Sequence, residues 1–538
     1  MTLPVPDLLC AEARPRVDTR ALRQALVFAF AAGGPQEAFD EVIARAALSA
    51  TTWQRAIFAR HIYLDDVVEK CLSLWIGGKP YRTCSRYVAR VLASPPADDQ
   101  DVELRRGVLA ELAASSRIRG ELERVYLSIV DLRGLLCATR QLAPRVRRIE
   151  ILRAAKETFD LLARSFGETD SALARLRNFG ACVVGSRAFG RLVAYLEHDE
   201  NLGSLELRVR VGADGEVRAM QLVGVHEDRS NVFYESLWRR WVTRLFLFVR
   251  GFRTTAGEIA ERLLSDVFGD IEESVALLFQ LLGDIEVLLG SLSFRDRAAG
   301  KGLSASLPEW TALDEPLQLE GLFNPLLLAT GITPIPCDVR AASRAIVLVT
   351  GPNSGGKTRL LQSVAIAQLM SGAGLFAPAR LARLPRATGL FASLFEDAGA
   401  DQTEGHLGME LVRIRRLFDE LDAGALVVLD ELCSGTNPSE GEEIASLVLS
   451  LLPELGVRAF VTTHLLQFAS KLASEKAFGI EFLQVELDES ERPTYRFVPG
   501  VARTSLAQRT AARLGVTREE LLHAIALKRK SRAAVLDP

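Results

Sequence analysis

The spacing of apolar residues changes along the chain and divides it into regions. Up to about residue 200, apolar residues recur at intervals of three and four, as in AFDEVIARAALSATTWQRAIFARHIYLDDVVEKCLSLWI. This period is typical of amphipathic helices that bury one face. Residues 1–200 are therefore predicted to form an all-α region, with one loop at Pro95 and Pro96.

A second pattern follows, in which apolar and polar residues alternate. The segment LGSLELRVRVGADGEVRAMQLVGV alternates on both sides of Asp214 and Gly215. An Asp-Gly pair between two alternating runs is a strong signal for a β-hairpin. The sequence thus predicts a small hairpin over residues 201–232, after which the helical period returns and predicts long helices over residues 233–315.

The third pattern begins near Leu319 and indicates an α/β domain. The runs AIVLVT, ALVVLD and RAFVTT are short, apolar and rich in β-branched residues, and helix-like patterns separate them. Strands of this kind belong to a parallel sheet that is buried on both faces. We expect this α/β domain over residues 316–500 and a C-terminal helical segment over residues 501–538.

Length and composition agree with a multidomain, soluble protein. The chain has 538 residues, of which 48% are hydrophobic and 25% charged, and domains usually contain about 100 to 200 residues. The formal net charge of −3 neither supports nor excludes a nucleic-acid partner. Seven scattered cysteines without a C-x-x-C pair, and an N-terminus without a secretory pattern, predict reduced thiols and a cytoplasmic location with no membrane segment.

The segment VTGPNSGGKTRLLQ predicts a phosphate-binding loop. It fits the pattern G-x-x-x-x-G-K-[ST] between a predicted strand and a predicted helix, and glycines there let backbone amides converge on phosphate oxygens. Lys357 is expected to reach the β and γ phosphates, and Thr358 is expected to ligate Mg²⁺. The predicted ATP-binding residues are Gly351, Pro352, Asn353, Ser354, Gly355, Gly356, Lys357 and Thr358.

Two further strand ends carry polar residues that suit the same site. Asp430 and Glu431 follow the run ALVVL, at the strand end where ligands bind in open α/β sheets. Asp430 would hold Mg²⁺, and Glu431 would orient and activate the attacking water. His464 follows the run RAFVTT and would sense the γ-phosphate or the water, although a histidine with a purely structural role would fit the pattern too.

These motifs, in this order, resemble the ATPase module of the MutS family, a branch of the ABC-type P-loop ATPases. The segments TGPNSGGKT, LDELCSGTNPSEG, TTH and PTYRF carry the likeness, which is greatest to the second MutS subfamily, a group that lacks the mismatch-reading domain. This chain is expected to lack the C-terminal nuclease domain of that subfamily. The resemblance implies a helical lever, a small β clamp and a homodimer. It also implies a protein that couples binding and hydrolysis of ATP to binding of mismatched, branched or duplex DNA in repair or recombination.

The chain departs from the family at the loop that completes the neighbouring subunit's nucleotide site. Where the family has a serine, this chain has EDAGADQTEGHLGMELVRI, and Asp401 would repel a triphosphate unless it lies off the contact or belongs to a slow ATPase. Thr403, Gly405 and His406 are the candidates for that contact. Two alternative hypotheses stay open: a clamp on ribosomes or structured RNA, and a nucleotide-bound scaffold with low turnover. The missing L-S-G-G-Q-like signature and the long helical N-terminal half argue against an ATPase subunit of a membrane transporter.

Overall fold

The computed structural model describes residues 3–138, 143–201, 204–211, 217–226, 256–394, 406–433, 437–475, 479–503 and 518–525. The helices in chain order are α1 Thr19–Ala32, α2 Gln36–Ala44, α3 Leu64–Asp66, α4 Ser85–Ala93, α5 Asp99–Ala114, α6 Ser116–Cys137, α7 Pro144–Arg164, α8 Ala174–Val184, α9 Arg187–Asn201, α10 Ala256–Ala299, α11 Pro325–Ala329, α12 Lys357–Gly372, α13 His406–Glu420, α14 Pro438–Leu455, α15 Leu466–Glu475 and α16 518–525. The strands are β1 Leu74–Ile76, β2 Lys79–Tyr81, β3 Ser204–Val211, β4 Val217–His226, β5 Glu309–Thr311, β6 Leu317–Leu322, β7 Cys337–Ala341, β8 Ile346–Thr350, β9 Leu381–Pro385, β10 Leu390–Ser393, β11 Leu426–Leu429, β12 Arg458–Thr462, β13 Ile480–Leu487 and β14 Pro493–Pro499.

The chain forms two compact units, and neither is continuous in sequence. The first unit comprises residues 1–49, 73–91 and 98–292, and the second comprises residues 50–72, 92–97 and 293–538. Two segments of the predicted helical region, 50–72 and 92–97, therefore fold with the second unit.

The first unit is mainly helical, as the period of apolar residues predicts. A short β-ribbon, β1 paired antiparallel with β2, corrects the expectation that residues 1–200 contain only helices. Gly77 and Gly78 connect the two strands, and both have positive φ (56° and 77°). Positive φ at both central positions is what a type I′ hairpin turn requires, and glycine adopts it without a steric penalty. Strands of three residues are too short to show an alternating pattern in sequence.

The predicted hairpin beyond residue 200 is present in the first unit. Strands β3 and β4 pair antiparallel, from Ser204 opposite His226 to Val211 opposite Val217. Asp214 and Gly215, at the predicted turn, lie outside the described residues.

Helix α10 supplies buried charges to the first unit. Its segment Leu264–Ala299 is long and apolar enough to cross a membrane, but the most apolar part of it is entirely buried in the protein, as in a core helix. Arg16 forms buried ion pairs with Asp7, at 3.0 Å, and with Asp284 of α10. The hydroxyl of Tyr87 donates a hydrogen bond to Oδ1 of Asp284 at 2.8 Å. Buried charges are tolerated when they are paired in this way.

The second unit contains the predicted α/β domain. Its main sheet has the strand order β10-β11-β12-β8-β13-β14, and all neighbours are parallel except β14, which pairs antiparallel with β13. Every residue of β8, β11 and β12 is buried, which accounts for their mostly apolar sequences. A second sheet has the order β5-β9-β6-β7. The carboxyl ends of β8, β11 and β12 carry the predicted nucleotide-binding residues.

Candidate nucleotide-binding site

The predicted phosphate-binding loop connects β8 to α12, and its backbone requires glycine. Gly351 has a φ of 142° and Gly356 a φ of 87°, values that other residues rarely adopt. A Cβ atom on Gly351 would lie 2.6 Å from Cγ2 of Val485, and one on Gly355 would lie 2.9 Å from the same methyl group. The loop is thus packed directly on strand β13, and substituents at these positions would displace it.

Lys357 is the first residue of α12 and is buried within the loop. Its Nζ donates hydrogen bonds to the carbonyl oxygens of Gly351 at 3.1 Å and Pro352 at 3.2 Å. Burial lowers the pKa of Lys357, whereas the nearby charges of Glu431 and Asp430 act to raise it. The ammonium group is thus held inside the loop whose amides are predicted to bind phosphate.

Asp430 joins the loop to two neighbouring strands. Its Oδ2 accepts a hydrogen bond from the Thr358 hydroxyl at 2.5 Å, and its Oδ1 accepts one from the Thr462 hydroxyl at 2.5 Å. The backbone N–H of Glu431 donates to the same Thr462 hydroxyl oxygen at 2.7 Å. Glu431 itself has left-handed backbone, with a φ of 52°. The structure therefore brings Thr358, Asp430 and Glu431 together at the carboxyl ends of β8, β11 and β12.

The hydroxyl of Thr358 and the carboxylate of Asp430 form a donor set that fits Mg²⁺. Mg²⁺ prefers oxygen ligands, and in nucleotide sites it is held by one or two protein groups together with phosphate oxygens and waters. The described residues contain no cluster of three or more His, Cys, Asp or Glu side chains that could hold a metal. The two hydrogen-bonded oxygens thus suit Mg²⁺ shared with a nucleotide better than a cage formed by the protein alone.

A cleft of about 710 Å³ opens beside the phosphate-binding loop. This volume falls within the range of about 300 to 1,000 Å³ that small-molecule sites usually have. Lys357, Thr358 and Glu431 lie in its wall, together with apolar and aromatic groups. Those groups include Tyr63, Phe323, Ile332, Ile335, Tyr495 and Phe497.

One side of the cleft is suited to an aromatic base. The ring of Tyr495 is 49% exposed, and Ile332 and Ile335 are 56% and 45% exposed. A Cβ atom on Gly356 would lie 3.4 Å from Cδ1 of Tyr495, so this ring lies against the phosphate-binding loop. Exposed apolar side chains in a cleft commonly mark a ligand site.

Several residues of the cleft were not assigned a role from the sequence. Asn324 caps α11 through bonds from the N–H groups of Leu326 and Leu327, and its Nδ2 donates to Oε1 of Gln362 in α12 at 2.9 Å. The run around Asn324 predicts only a domain boundary, because its prolines mask any regular period. Tyr495 lies in the segment PTYRF, whose likeness to the family was the only available signal.

The other predicted site residues either do not line this cleft or lie outside the described residues. His464 follows β12 with an exposed side chain, and it is not part of the cleft wall that the described residues form. His406 is the first residue of α13. Asp401, Gln402, Thr403 and Gly405 lie outside the described residues. The roles assigned to His464 and to the loop before α13 remain predictions.

Comparisons with known proteins match this region of the chain. Residues 347–527 match the family model described as MutS domain V. A protein named endonuclease MutS2 from Thermus thermophilus is 32% identical over 271 residues, which is 50% of this chain and 34% of the relative. The protein of the same name from Thermomicrobium roseum is 36% identical over 198 residues, or 36% of this chain and 24% of the relative. The one from Caldanaerobacter subterraneus is 30% identical over 263 residues, or 48% of this chain and 32% of the relative. The chain thus spans about a quarter to a third of the length of these relatives.

Proposed function

Residues 347–527 match MutS domain V, and on that premise we propose that this chain is a MutS-like, Mg²⁺-dependent ATPase that acts as a dimeric clamp on DNA. The observation that carries the proposal is the meeting of Lys357, Thr358, Asp430 and Glu431 beside one cleft at the carboxyl ends of a parallel sheet. Lysine for the phosphates, hard oxygens for Mg²⁺ and a carboxylate for water are the groups that phosphoryl transfer to water requires.

Each of these side chains has a separate task in the proposed reaction. The loop amides and Lys357 bind the β and γ phosphates, while Thr358 and Asp430 hold Mg²⁺, which neutralises developing charge when it is bound. Glu431 orients the attacking water and accepts its proton. His464, from the next strand end, senses the terminal phosphate.

Exposed apolar side chains on the second unit support the proposed homodimer. On α14, Leu447 and Leu451 are 59% and 41% exposed, and on α13, Leu411 and Val412 are 41% and 56% exposed. Residues four positions apart lie on one face of a helix, so the two leucines of α14 form a single stripe. Such stripes are typical of surfaces that bind another protein.

The DNA partner is proposed from the family alone, with the β3–β4 hairpin as the clamp element and the long helices as the lever. In this mechanism ATP joins two ATPase units, the lever moves the clamp, and hydrolysis resets it. Binding to ribosomes or structured RNA is the competing outcome.

The test is the ATPase rate of the full chain with homoduplex, mismatched duplex, four-way junction, structured RNA and ribosomes. Lys357→Ala serves as the control for contaminating activity. A rate that a DNA substrate changes and that Lys357→Ala abolishes supports the DNA clamp. If only ribosomes or RNA change the ATPase rate, the partner is RNA or the ribosome and not DNA. Binding of ATP without any response to nucleic acid would favour the scaffold hypothesis.

A further inference from the structure

One residue in the wall of the nucleotide cleft comes from the first hundred residues of the chain. Tyr63 lines the same cleft as Lys357, Thr358 and Glu431. Its side chain is 46% exposed, and its backbone is left-handed, with a φ of 56°. This conformation is rare for a bulky residue and persists only where the surroundings hold it, which is a common feature of ligand-binding positions.

The segment that carries Tyr63 is bonded to the α/β domain by two buried side chains. The Nε1 of Trp53 donates a hydrogen bond to the carbonyl oxygen of Ala387 at 3.0 Å. The Nδ1 of His61 accepts a hydrogen bond from the backbone N–H of Leu394 at 3.3 Å. Trp53 and His61 are only 7% and 9% exposed, and the bond of His61 is buried, so the two side chains fix the segment.

The bond of His61 connects the segment of Tyr63 to the neighbourhood of the predicted Mg²⁺ site. Leu394 follows β10, and the carbonyl oxygen of the preceding residue, Ser393, accepts a hydrogen bond from the N–H of Asp430 at 2.8 Å. Asp430 is in turn bonded to Thr358, the predicted Mg²⁺ ligand. Tyr63 is two residues from His61, and it lines the cleft together with Leu394, the residue after Ser393.

The other cleft tyrosine approaches from the opposite direction. Tyr495 belongs to β14, which is one edge of the six-stranded sheet, whereas β10 is the other edge. Tyr495 also has a positive φ, of 61°. The two tyrosines of the cleft therefore come from segments bonded to opposite edges of this sheet.

We propose that Tyr63 is an ATP-binding residue whose phenolic hydroxyl donates a hydrogen bond to an oxygen of the terminal phosphate. His61 is a positioning residue that holds Tyr63 through its bond to Leu394. This inference rests on the proposed binding of nucleotide at the same cleft. Because ADP lacks the terminal phosphate, the contact makes the site distinguish ATP from ADP.

The experiment measures the Kd of ATP and of ADP, each with Mg²⁺, by isothermal titration calorimetry on the full chain. Tyr63→Phe removes only the hydroxyl. Hydrogen bonds to charged groups are strong enough that we expect an increase of about tenfold or more in the Kd of ATP, and about twofold or less in that of ADP. Tyr81→Phe, in the β-ribbon of the first unit, is the matched control and should change neither value.

A second pair of variants tests the positioning role. His61→Ala removes the acceptor for the Leu394 N–H and should reproduce the selective loss of ATP affinity. His61→Asn keeps a side-chain oxygen that can accept this bond and should recover part of the affinity. A purely structural role would weaken ATP and ADP equally and would overturn the positioning role.

The outcomes separate this inference from the proposed function. If the wild-type protein binds ATP and Lys357→Ala does not, nucleotide binding at the cleft stands. An unchanged ratio of ATP to ADP affinity in Tyr63→Phe would then overturn the role of Tyr63 alone. If the wild-type protein binds neither nucleotide, both proposals fail.

Discussion

The hydroxyl of Thr358 donates a hydrogen bond of 2.5 Å to the carboxylate of Asp430, which is 72 positions away in sequence. The second carboxylate oxygen accepts the hydroxyl of Thr462, so both oxygens of Asp430 are held by threonines. A carboxylate whose two oxygens both accept hydrogen bonds is held in one position before any ligand binds. Such preorganisation reduces the cost of assembling a metal site when the nucleotide arrives.

Replacement of Asp430 by asparagine should therefore remove the dependence of ATP binding on Mg²⁺. The amide keeps the shape of the side chain but loses the negative charge that Mg²⁺ requires. We expect hydrolysis to fall by about a hundredfold or more, and the Kd of ATP to become the same with and without Mg²⁺. Titrations of ATP in Mg²⁺ and in EDTA provide the measurement, and Asp419→Asn, at an exposed position on α13, is the control. A retained Mg²⁺ dependence would show that another group holds the metal.

Replacement of Glu431 by glutamine should separate binding from hydrolysis. Glu431 lines the cleft, and its position is fixed by the bond from its N–H to Thr462. Glutamine preserves the size but cannot accept a proton from water, so turnover should fall by a factor of about 10² to 10⁴. We expect the Kd of ATP to change by less than about threefold, because binding depends mainly on the loop and Lys357. Phosphate release and ATP titration measure the two effects, with Glu443→Gln on the exposed face of α14 as control. Equal hydrolysis in wild type and Glu431→Gln would exclude Glu431 as the base.

The sequence predicts the phosphate-binding loop and the two carboxylates because each comes directly after a buried strand. The loop before Lys357 and the pair Asp430 and Glu431 each come directly after a buried run of β-branched residues, and such strand ends meet at one edge of a parallel sheet. The contribution of Tyr63 is different. Its neighbours have a helical period, and its place in the cleft depends on bonds to Leu394, more than three hundred positions away, that no local pattern encodes.

The same limit applies to the buried charges of the first unit. The ion pair of Arg16 with Asp284 joins residues 268 positions apart. In sequence, Asp284 and Glu286 look like polar interruptions in an apolar helix, which would ordinarily face water. The structure instead buries both on α10 among polar partners from other segments.

Glu286 should make the stability of the protein depend on pH. Burial raises the pKa of Glu286 to about 8, although the backbone N–H of Cys84 donates a hydrogen bond to it at 2.8 Å. The other polar groups around it are Tyr126, Arg133 and Asp40. Between the ordinary pKa of 4.5 and about 8, the folded state keeps a proton that the unfolded state has released. The free energy of unfolding should therefore decrease as pH rises through this window, by up to about 1.4 kcal/mol per pH unit.

Glu286→Gln tests this dependence, because the amide is neutral at every pH. Urea unfolding followed by circular dichroism at pH 6 and pH 8 should show a smaller loss of stability in the variant than in the wild type. Glu103→Gln, at an exposed position on α5, should retain the wild-type dependence. The same pH dependence in Glu286→Gln and wild type would assign the effect to other groups.

Because the phosphate-binding loop packs on β13, we expect that a substitution in β13 can restore ATP affinity lost through a substitution in the loop. In Gly355→Ala, the new Cβ would lie 2.9 Å from Cγ2 of Val485 and 3.0 Å from the carbonyl oxygen of Pro352. Both distances are shorter than ordinary contacts, so the loop must shift, and overpacking of this kind costs about 1 to 3 kcal/mol. We expect the Kd of ATP to rise by about tenfold.

Val485→Ala removes one of the two close contacts, and the double variant should therefore recover part of the lost affinity. Gly356→Ala is the matched control. Alanine would be strained there by the backbone φ of 87°, whereas the nearest side-chain atom lies 3.4 Å from the new Cβ. Val485→Ala cannot relieve a backbone conformation and should leave the affinity of Gly356→Ala unrestored. A double-mutant cycle on ATP affinity, with melting temperatures measured in parallel, gives the coupling for each pair. If the losses of ATP affinity in the variants of residues 355 and 485 are additive, the loop does not contact β13 at this point when nucleotide is bound. A positive coupling for this pair alone would show that contact with the methyl groups of Val485 fixes the position of the loop on the sheet.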